Sequence, residues 1–161
     1  MRKIAIFLVI SLSYYLYDIG NIDGVRQGTE ALYVQIAKEM SESNNYLTPL
    51  YRGEPHWSKP PLQFWLGSLF LKAYGAFSLG VARSSMASVS FFSVLVLGFL
   101  LRKISKISLI ETVILMLGCF GTLKFSRTFM MEVPLMFFPT LSLIFFYKCI
   151  KEQDNKSLGF S

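Results

Sequence analysis

The sequence predicts an all-α integral membrane protein, and three observations carry that prediction. The first is composition: of 161 residues, 53% are hydrophobic and only 16% charged, with a mean hydropathy of +0.47. Soluble domains seldom combine so much apolar with so little charged residue. The second is the placement of the cations. The net charge of +6 comes from Lys and Arg scattered between oily runs, with no dense basic stripe of the kind nucleic-acid binding needs. The third is a single long polar, turn-rich stretch, Gln27–Leu62. It holds four of the ten acidic residues, the only histidine, and Pro49, Pro55, Pro60 and Pro61. The expected architecture is about four transmembrane helices, with two juxtamembrane amphipathic helices in the first external loop. Residues 1–161 form a single membrane module.

The first span is placed at residues 4–19. Arg2 and Lys3 precede an apolar run that ends in tyrosines, as at a membrane interface. No small-residue cleavage site follows it, so the run reads as an uncleaved span rather than a signal peptide. The external loop then covers residues 20–83. After a Gly/Asp turn region at 21–27, residues 29–42 show helical periodicity. Leu32, Ile36 and Met40 recur every four residues with Tyr33 and Ala37 beside them, and Gln35, Lys38, Glu39 and Glu42 lie on other faces. Fourteen such residues are too few to span a bilayer, which takes about 20, but suit a surface helix. Thr29 is its expected N-cap, and Glu30 in the first turn favours the helix dipole. Ser43-Asn44-Asn45 ends it, and Thr48–His56 reads as a loop. Lys59-Pro60-Pro61 opens a second short helix through Tyr74, since prolines are tolerated at a helix start.

Three further spans are expected at residues 84–101, 107–125 and 133–150. The second carries Glu111 and Lys124 near its ends. The tail 152–161 is polar and expected to fray. Cys119 and Cys149 fall within spans and read as small core residues. Gly118-x-x-Gly121 reads as a point of close helix packing. If the segment 61–74 lies at the surface, every basic cluster (Arg2/Lys3, Arg102/Lys103/Lys106, Lys148/Lys151) falls on the cytoplasmic side. The N-terminus is then cytoplasmic, and the first loop and the 127–132 turn share the external side.

Several polar groups become candidates for chemistry at that external face. Glu30 or Glu132 can accept a proton from an attacking hydroxyl. Lys59 and Arg127 can hold a phosphate and stabilise its charge on departure. Tyr33 adds a hydrogen bond or a ring face. Each residue has a plainer reading: Glu30 as a first-turn charge, Lys59 as a snorkelling cation, Arg127 as a headgroup contact. Glu132, at the edge of an apolar segment, is hardest to explain structurally. His56 stands alone and makes no metal site.

In order, Thr29-Glu30-Ala31-Leu32-Tyr33, Ile36-Ala37-Lys38-Glu39-Met40, Tyr46-Leu47-Thr48-Pro49 and Trp57-Ser58-Lys59-Pro60-Pro61-Leu62 resemble the N-terminal region of GT-C membrane glycosyltransferases, those related to protein O-mannosyltransferases and to the lipid A aminoarabinose transferase. Ala82-Arg83 and Glu132-Val133-Pro134 stand where that family has an Arg before a span and an Asp-x-Pro. The resemblance covers about residues 20–150. It implies transfer of a sugar from a polyprenyl-phosphate-linked donor to a lipid or protein acceptor at the external face of a bacterial plasma membrane. It implies Glu30 and Glu132 as catalytic candidates and Lys59, Arg127 and Tyr33 on the donor phosphate. No cofactor is implied, and whether a divalent metal takes part is left open. The family's catalytic Asp is Thr29 here, which cannot serve as the base. Family members run through many more spans, so the chain reads as the N-terminal part of a longer enzyme. The alternatives are a non-catalytic, degenerate module that binds a polyprenyl phosphate or a partner subunit, and, more weakly, a transporter fragment.

Overall fold

The structure, a computed structural model, describes residues 2–20, 28–75, 77–105 and 107–158, with side chains described between 4 and 151. The turn region expected at 21–27 lies outside them, as does Lys106. Seven helices follow in order: α1 (Arg2–Leu16), α2 (Gly28–Ser43), α3 (Leu62–Tyr74), α4 (Leu79–Ser105), α5 (Leu109–Gly118), α6 (Phe120–Ser126) and α7 (Glu132–Leu158). Between α2 and α3 lies a two-stranded antiparallel hairpin, β1 (Leu50–Tyr51) and β2 (Glu54–Pro55).

Among the described residues two helices, α4 and the 132–151 part of α7, are long and apolar enough to cross a membrane, and α5 with α6 makes a third candidate as a bent pair. The expected span at 107–125 is therefore not one straight helix. It breaks at Cys119, whose extended backbone (φ −82°, ψ 111°) ends α5 and starts α6. The two halves meet at 80°. Gly118, a weak helix former, stands at the break. A Cβ on Gly118 would meet nothing, and one on Gly121 only the Cys119 sulfur at 4.0 Å, so this pair does not mediate close helix packing. That role falls to Gly67, Gly80 and Gly98. The expected span at 4–19 is shorter than drawn: helix geometry stops at Leu16, and Asp18 takes a left-handed φ of 54°. Its apolar part, Ile4–Leu16, falls short of spanning length. Cys119 and Cys149 are free thiols on the exposed surface, not core residues. The polar tail does not fray at 152, for α7 continues to Leu158.

The main core lies between α2, α3, the start of α4 and the turn before α7. Tyr33, Ile36, Ala37 and Met40 of α2 meet Phe64 and Leu71 of α3, Ala82 and Met86 of α4, and Phe129 and Met130. The four-residue periodicity of α2 thus faces protein. Gly67 lets α3 approach: a Cβ there would overlap the Phe129 ring and stand 3.2 Å from the Ala37 Cβ. A second cluster joins α1 to α4 through Tyr15, Ile19, Ala87 and Phe91, with the Tyr15 and Phe91 rings edge to face at 5.9 Å.

The segment expected as a plain loop is a hairpin closed by Arg52 (φ 53°) and Gly53 (φ 81°). Positive φ at both central residues matches the twist of paired strands. Glu39 of α2 grips that turn. Its carboxylate accepts from the Arg52 N–H at 2.9 Å, the Gly53 N–H at 3.1 Å and the Gln35 amide at 2.8 Å. Burial pushes the Glu39 pKa up, but these donors outweigh it and hold the group below its ordinary value. Trp65 Nε1 donates to the Tyr46 carbonyl at 2.6 Å and fixes the hairpin's near end to α3.

Candidate active site

The candidate residues gather where α2, α3, α4 and α7 begin, together with the 127–132 turn. Glu30 is fully buried. Arg83, buried as completely, donates to it from Nε and Nη2, each at 2.8 Å. The Phe129 N–H donates to the same carboxylate at 2.8 Å. One side chain from the first loop therefore binds α2 to α4 and to a turn 99 residues away. Arg127 makes a second tie, with Nη2 donating to the Tyr17 carbonyl at the end of α1. The first loop and the 127–132 turn stand at the same end of the helices. Thr29 is not an N-cap. It lies inside the first turn of α2, with its hydroxyl directed at the Met130 sulfur at 3.9 Å.

Glu132 opens α7, and its Oε2 is buried with no hydrogen-bond partner among the described residues. Tyr33 is close enough to feel it. Burial first, and then the Glu132 charge, raise the Tyr33 hydroxyl above its ordinary pKa. Arg127 Nε is a further buried donor without a partner among the described residues. Lys59 is exposed just ahead of α3. A groove of about 330 Å³ runs between the start of α3 and α7, lined by Pro60, Leu62 and Gln63 on one side and by Met131, Pro134 and Leu135 among those on the other. The neighbours of Lys59 and those of Glu132 are thus opposite walls of one cavity. Both amide atoms of Gln63, 1% exposed, lack partners among the described residues.

The arrangement separates the two acids by chemistry. Glu30 has donors on both oxygens, one of them a permanent cation, so both oxygens are engaged. Glu132 has an oxygen open to a proton. Sequence reasoning placed Arg83 only as the Arg before a span and assigned it no partner. The burial of Gln63 and the clamp made by Glu39 are not legible in the sequence, because nothing local marks a polar residue as buried. The His56 ring makes a local contact, 2.7 Å from Nε2 to the Ser58 hydroxyl. Among the described residues, no three His, Cys, Asp or Glu side chains come close enough to hold a metal ion.

A mostly helical chain with membrane-length apolar helices and a polar cluster at one end defines a membrane protein. Its sequence places it further. The model of the dolichyl-phosphate-mannose-protein mannosyltransferase family matches residues 1–160, and the chain belongs to that family of membrane glycosyltransferases. It is 34% identical over 151 residues, 92% of this chain, to an uncharacterized protein of Aquifex aeolicus, of which the match covers 30%. It is 34% identical over 103 residues, 64% of this chain and 19% of the relative, to the undecaprenyl phosphate-alpha-4-amino-4-deoxy-L-arabinose arabinosyl transferase of Pseudomonas savastanoi. A similarly named transferase of Sodalis glossinidius is 27% identical over 99 residues, 62% of this chain and 18% of the relative. The chain thus spans less than a third of the length of these relatives. No solved structure matches it significantly.

Proposed function

We propose that this chain is the N-terminal module of a membrane glycosyltransferase, covering residues 1–161. The enzyme transfers a sugar from a polyprenyl-phosphate-linked donor to a hydroxyl of a lipid or protein acceptor at the external face of a bacterial plasma membrane. The family match supports the class, and the names of two relatives support an undecaprenyl-phosphate carrier. The observation that carries the site is the contrast between the two acids: Glu30 is locked to Arg83, while Glu132 keeps a buried oxygen unpartnered among the described residues.

In this reading the acceptor hydroxyl attacks the anomeric carbon of the donor. The new bond joins acceptor oxygen to sugar, and the bond from sugar to phosphate oxygen breaks with inversion. Glu132 takes the acceptor proton. Lys59 and Arg127 stabilise the charge on the departing phosphate, and Tyr33 donates its hydroxyl proton toward the same oxygens. Glu30 is a positioning residue, acting through Arg83 and Phe129. α4, the bent α5/α6 pair and α7 cross the bilayer, with Arg102/Lys103 of α4 and Lys148/Lys151 of α7 on the cytoplasmic side. α2 and α3 lie along the outer surface.

The test is sugar transfer in membrane vesicles carrying the complete protein, with polyprenyl-phosphate-linked aminoarabinose and mannose as donors. Glu132→Gln and Lys59→Ala each lower transfer by about 10²–10⁴-fold, the usual worth of a general base or a charge clamp. Normal transfer by the Glu132→Gln variant would sink the assignment of the base. Absence of transfer by the wild type, with retained binding of the lipid phosphate, would support the non-catalytic module that Thr29 suggests.

A further inference from the structure

Gln63 takes no part in the proposed reaction, yet it is buried beside the site at a cost. It is 1% exposed, and neither its amide nitrogen nor its amide oxygen has a hydrogen-bond partner among the described residues. Such an amide loses water on both atoms and gains nothing in return, and native structures keep few groups of this kind. Among the described residues five buried side-chain polar atoms lack a partner: the Tyr15 hydroxyl, both Gln63 amide atoms, Arg127 Nε and Glu132 Oε2. Tyr15 belongs to the packing of α1 on α4. The other four belong to the start of α3, the 127–132 turn and the start of α7. Unpaired groups gathered in one region of the fold are groups that a ligand can complete.

The chemistry of the amide narrows that ligand. Arg127 only donates and Glu132, when ionised, only accepts, whereas Gln63 presents two donors and an acceptor on one side chain. A phosphate uses donors alone, and a hydrocarbon chain uses neither. Hydroxyl groups use both, since each gives one hydrogen bond and accepts others. Gln63 lines the cavity of about 330 Å³ between α3 and α7, within the range of about 300–1,000 Å³ usual for small-ligand sites. Ser142, the other polar residue of its walls, donates to the Phe138 carbonyl at 3.0 Å, and the remaining side chains there are apolar. Pro60, the neighbour of Lys59, lines the cavity beside Gln63. We propose that Gln63 binds the sugar of the donor and helps to select it, which rests on the transfer reaction proposed above. The donor phosphate is held at Lys59 and the sugar enters the cavity. There the Gln63 amide gives a hydrogen bond to one ring hydroxyl and accepts one from a hydroxyl of the same ring, while the apolar walls meet the C–H face.

The experiment uses the complete protein, in mild detergent for binding and unfolding and in membrane vesicles for transfer. The probes are undecaprenyl phosphate alone and undecaprenyl phosphate carrying aminoarabinose or mannose. The variants are Gln63→Leu and Gln63→Met, the second keeping the unbranched length. For the sugar-bearing probe that wild type binds most tightly, each variant should bind about 10–100-fold more weakly, the worth of two hydrogen bonds. Both should bind the bare lipid phosphate as wild type does. The kcat/KM for transfer should fall by the same factor, while the unfolding temperature without ligand rises, as it would not for a structural amide. Unchanged affinity for the sugar-bearing probe overturns the proposal, and so does an equal loss of affinity for the bare lipid phosphate. A lower unfolding temperature in both variants overturns it too, because another part of the complete protein then holds the amide. Failure of the transfer reading looks different. Wild type would then bind the sugar-bearing probe with the same dependence on Gln63 and transfer nothing, which keeps the sugar contact and removes the reaction.

Discussion

Arg83 grips Glu30 through two parallel hydrogen bonds of 2.8 Å, both side chains fully buried, 53 residues apart in the chain. A planar guanidinium matches a carboxylate in this geometry as a lysine cannot. The pair fixes α2 on α4, and through the Phe129 N–H it also sets the turn that presents Arg127 and Glu132.

Removing one partner leaves the other charged and buried. Arg83→Ala and Glu30→Ala should each destabilise the protein by about 3–5 kcal/mol, read as a fall in unfolding temperature in detergent. Arg83→Lys should recover little. A double replacement by apolar residues, Glu30→Leu/Arg83→Met, should be milder than either single alanine variant. A single variant with an unchanged unfolding temperature would contradict the framework role.

Glu132 behaves differently if it is the base. Glu132→Gln should leave the folding stability within about 1 kcal/mol of wild type while lowering transfer by about 10²–10⁴-fold. Its charge is the second cause, after burial, of the raised Tyr33 pKa. The same variant should therefore lower that pKa, measured as the difference in phenolate absorbance titration between variants with Tyr33 and with Tyr33→Phe.

Gly67 admits α3 to the core. Gly67→Ala places a methyl group 2.4 Å from the edge of the Phe129 ring and 3.2 Å from the Ala37 Cβ. Overpacking of this kind costs about 1–3 kcal/mol. Because Phe129 also supplies an N–H to Glu30, transfer activity should fall along with stability.

The Glu39 clamp should give the hairpin a pH dependence. Its pKa is lower in the folded state than the ordinary value of 4.5. Its stabilising effect is therefore fully present above about pH 4.5, and is lost as pH falls below that through the folded pKa. Amide exchange at Arg52 and Gly53, corrected for intrinsic rates, should accelerate in that acid window. Glu39→Gln should remove the transition.

Gln63→Leu should stabilise the protein. A buried amide with neither atom paired among the described residues costs about 1–3 kcal/mol relative to an apolar side chain of similar volume. A lower unfolding temperature would show that the amide is held by a part of the complete protein outside the described residues.

The sequence by itself determined the class, the family and most of the helices. Composition and apolar run length identify a membrane protein, the periodicity of Leu32, Ile36 and Met40 marks α2, and the prolines before Leu62 mark the start of α3. Arg102 and Lys103 mark the end of α4, and Lys151 marks the end of the apolar part of α7. These are local signals, each legible within a turn or two of chain. Cys119 defeated them, because a single extended residue between two apolar halves leaves hydropathy unchanged while turning the axis by 80°. What only the tertiary structure decided is which acid is free. Glu30 and Glu132 look alike in sequence, each in the first turn of a helix. They differ because Arg83 and the Phe129 N–H, distant in the chain, converge on one of them and leave an oxygen of the other unpaired among the described residues. A carboxylate's role is set by the donors that surround it, and these assemble only when α2, α4 and the turn before α7 pack together.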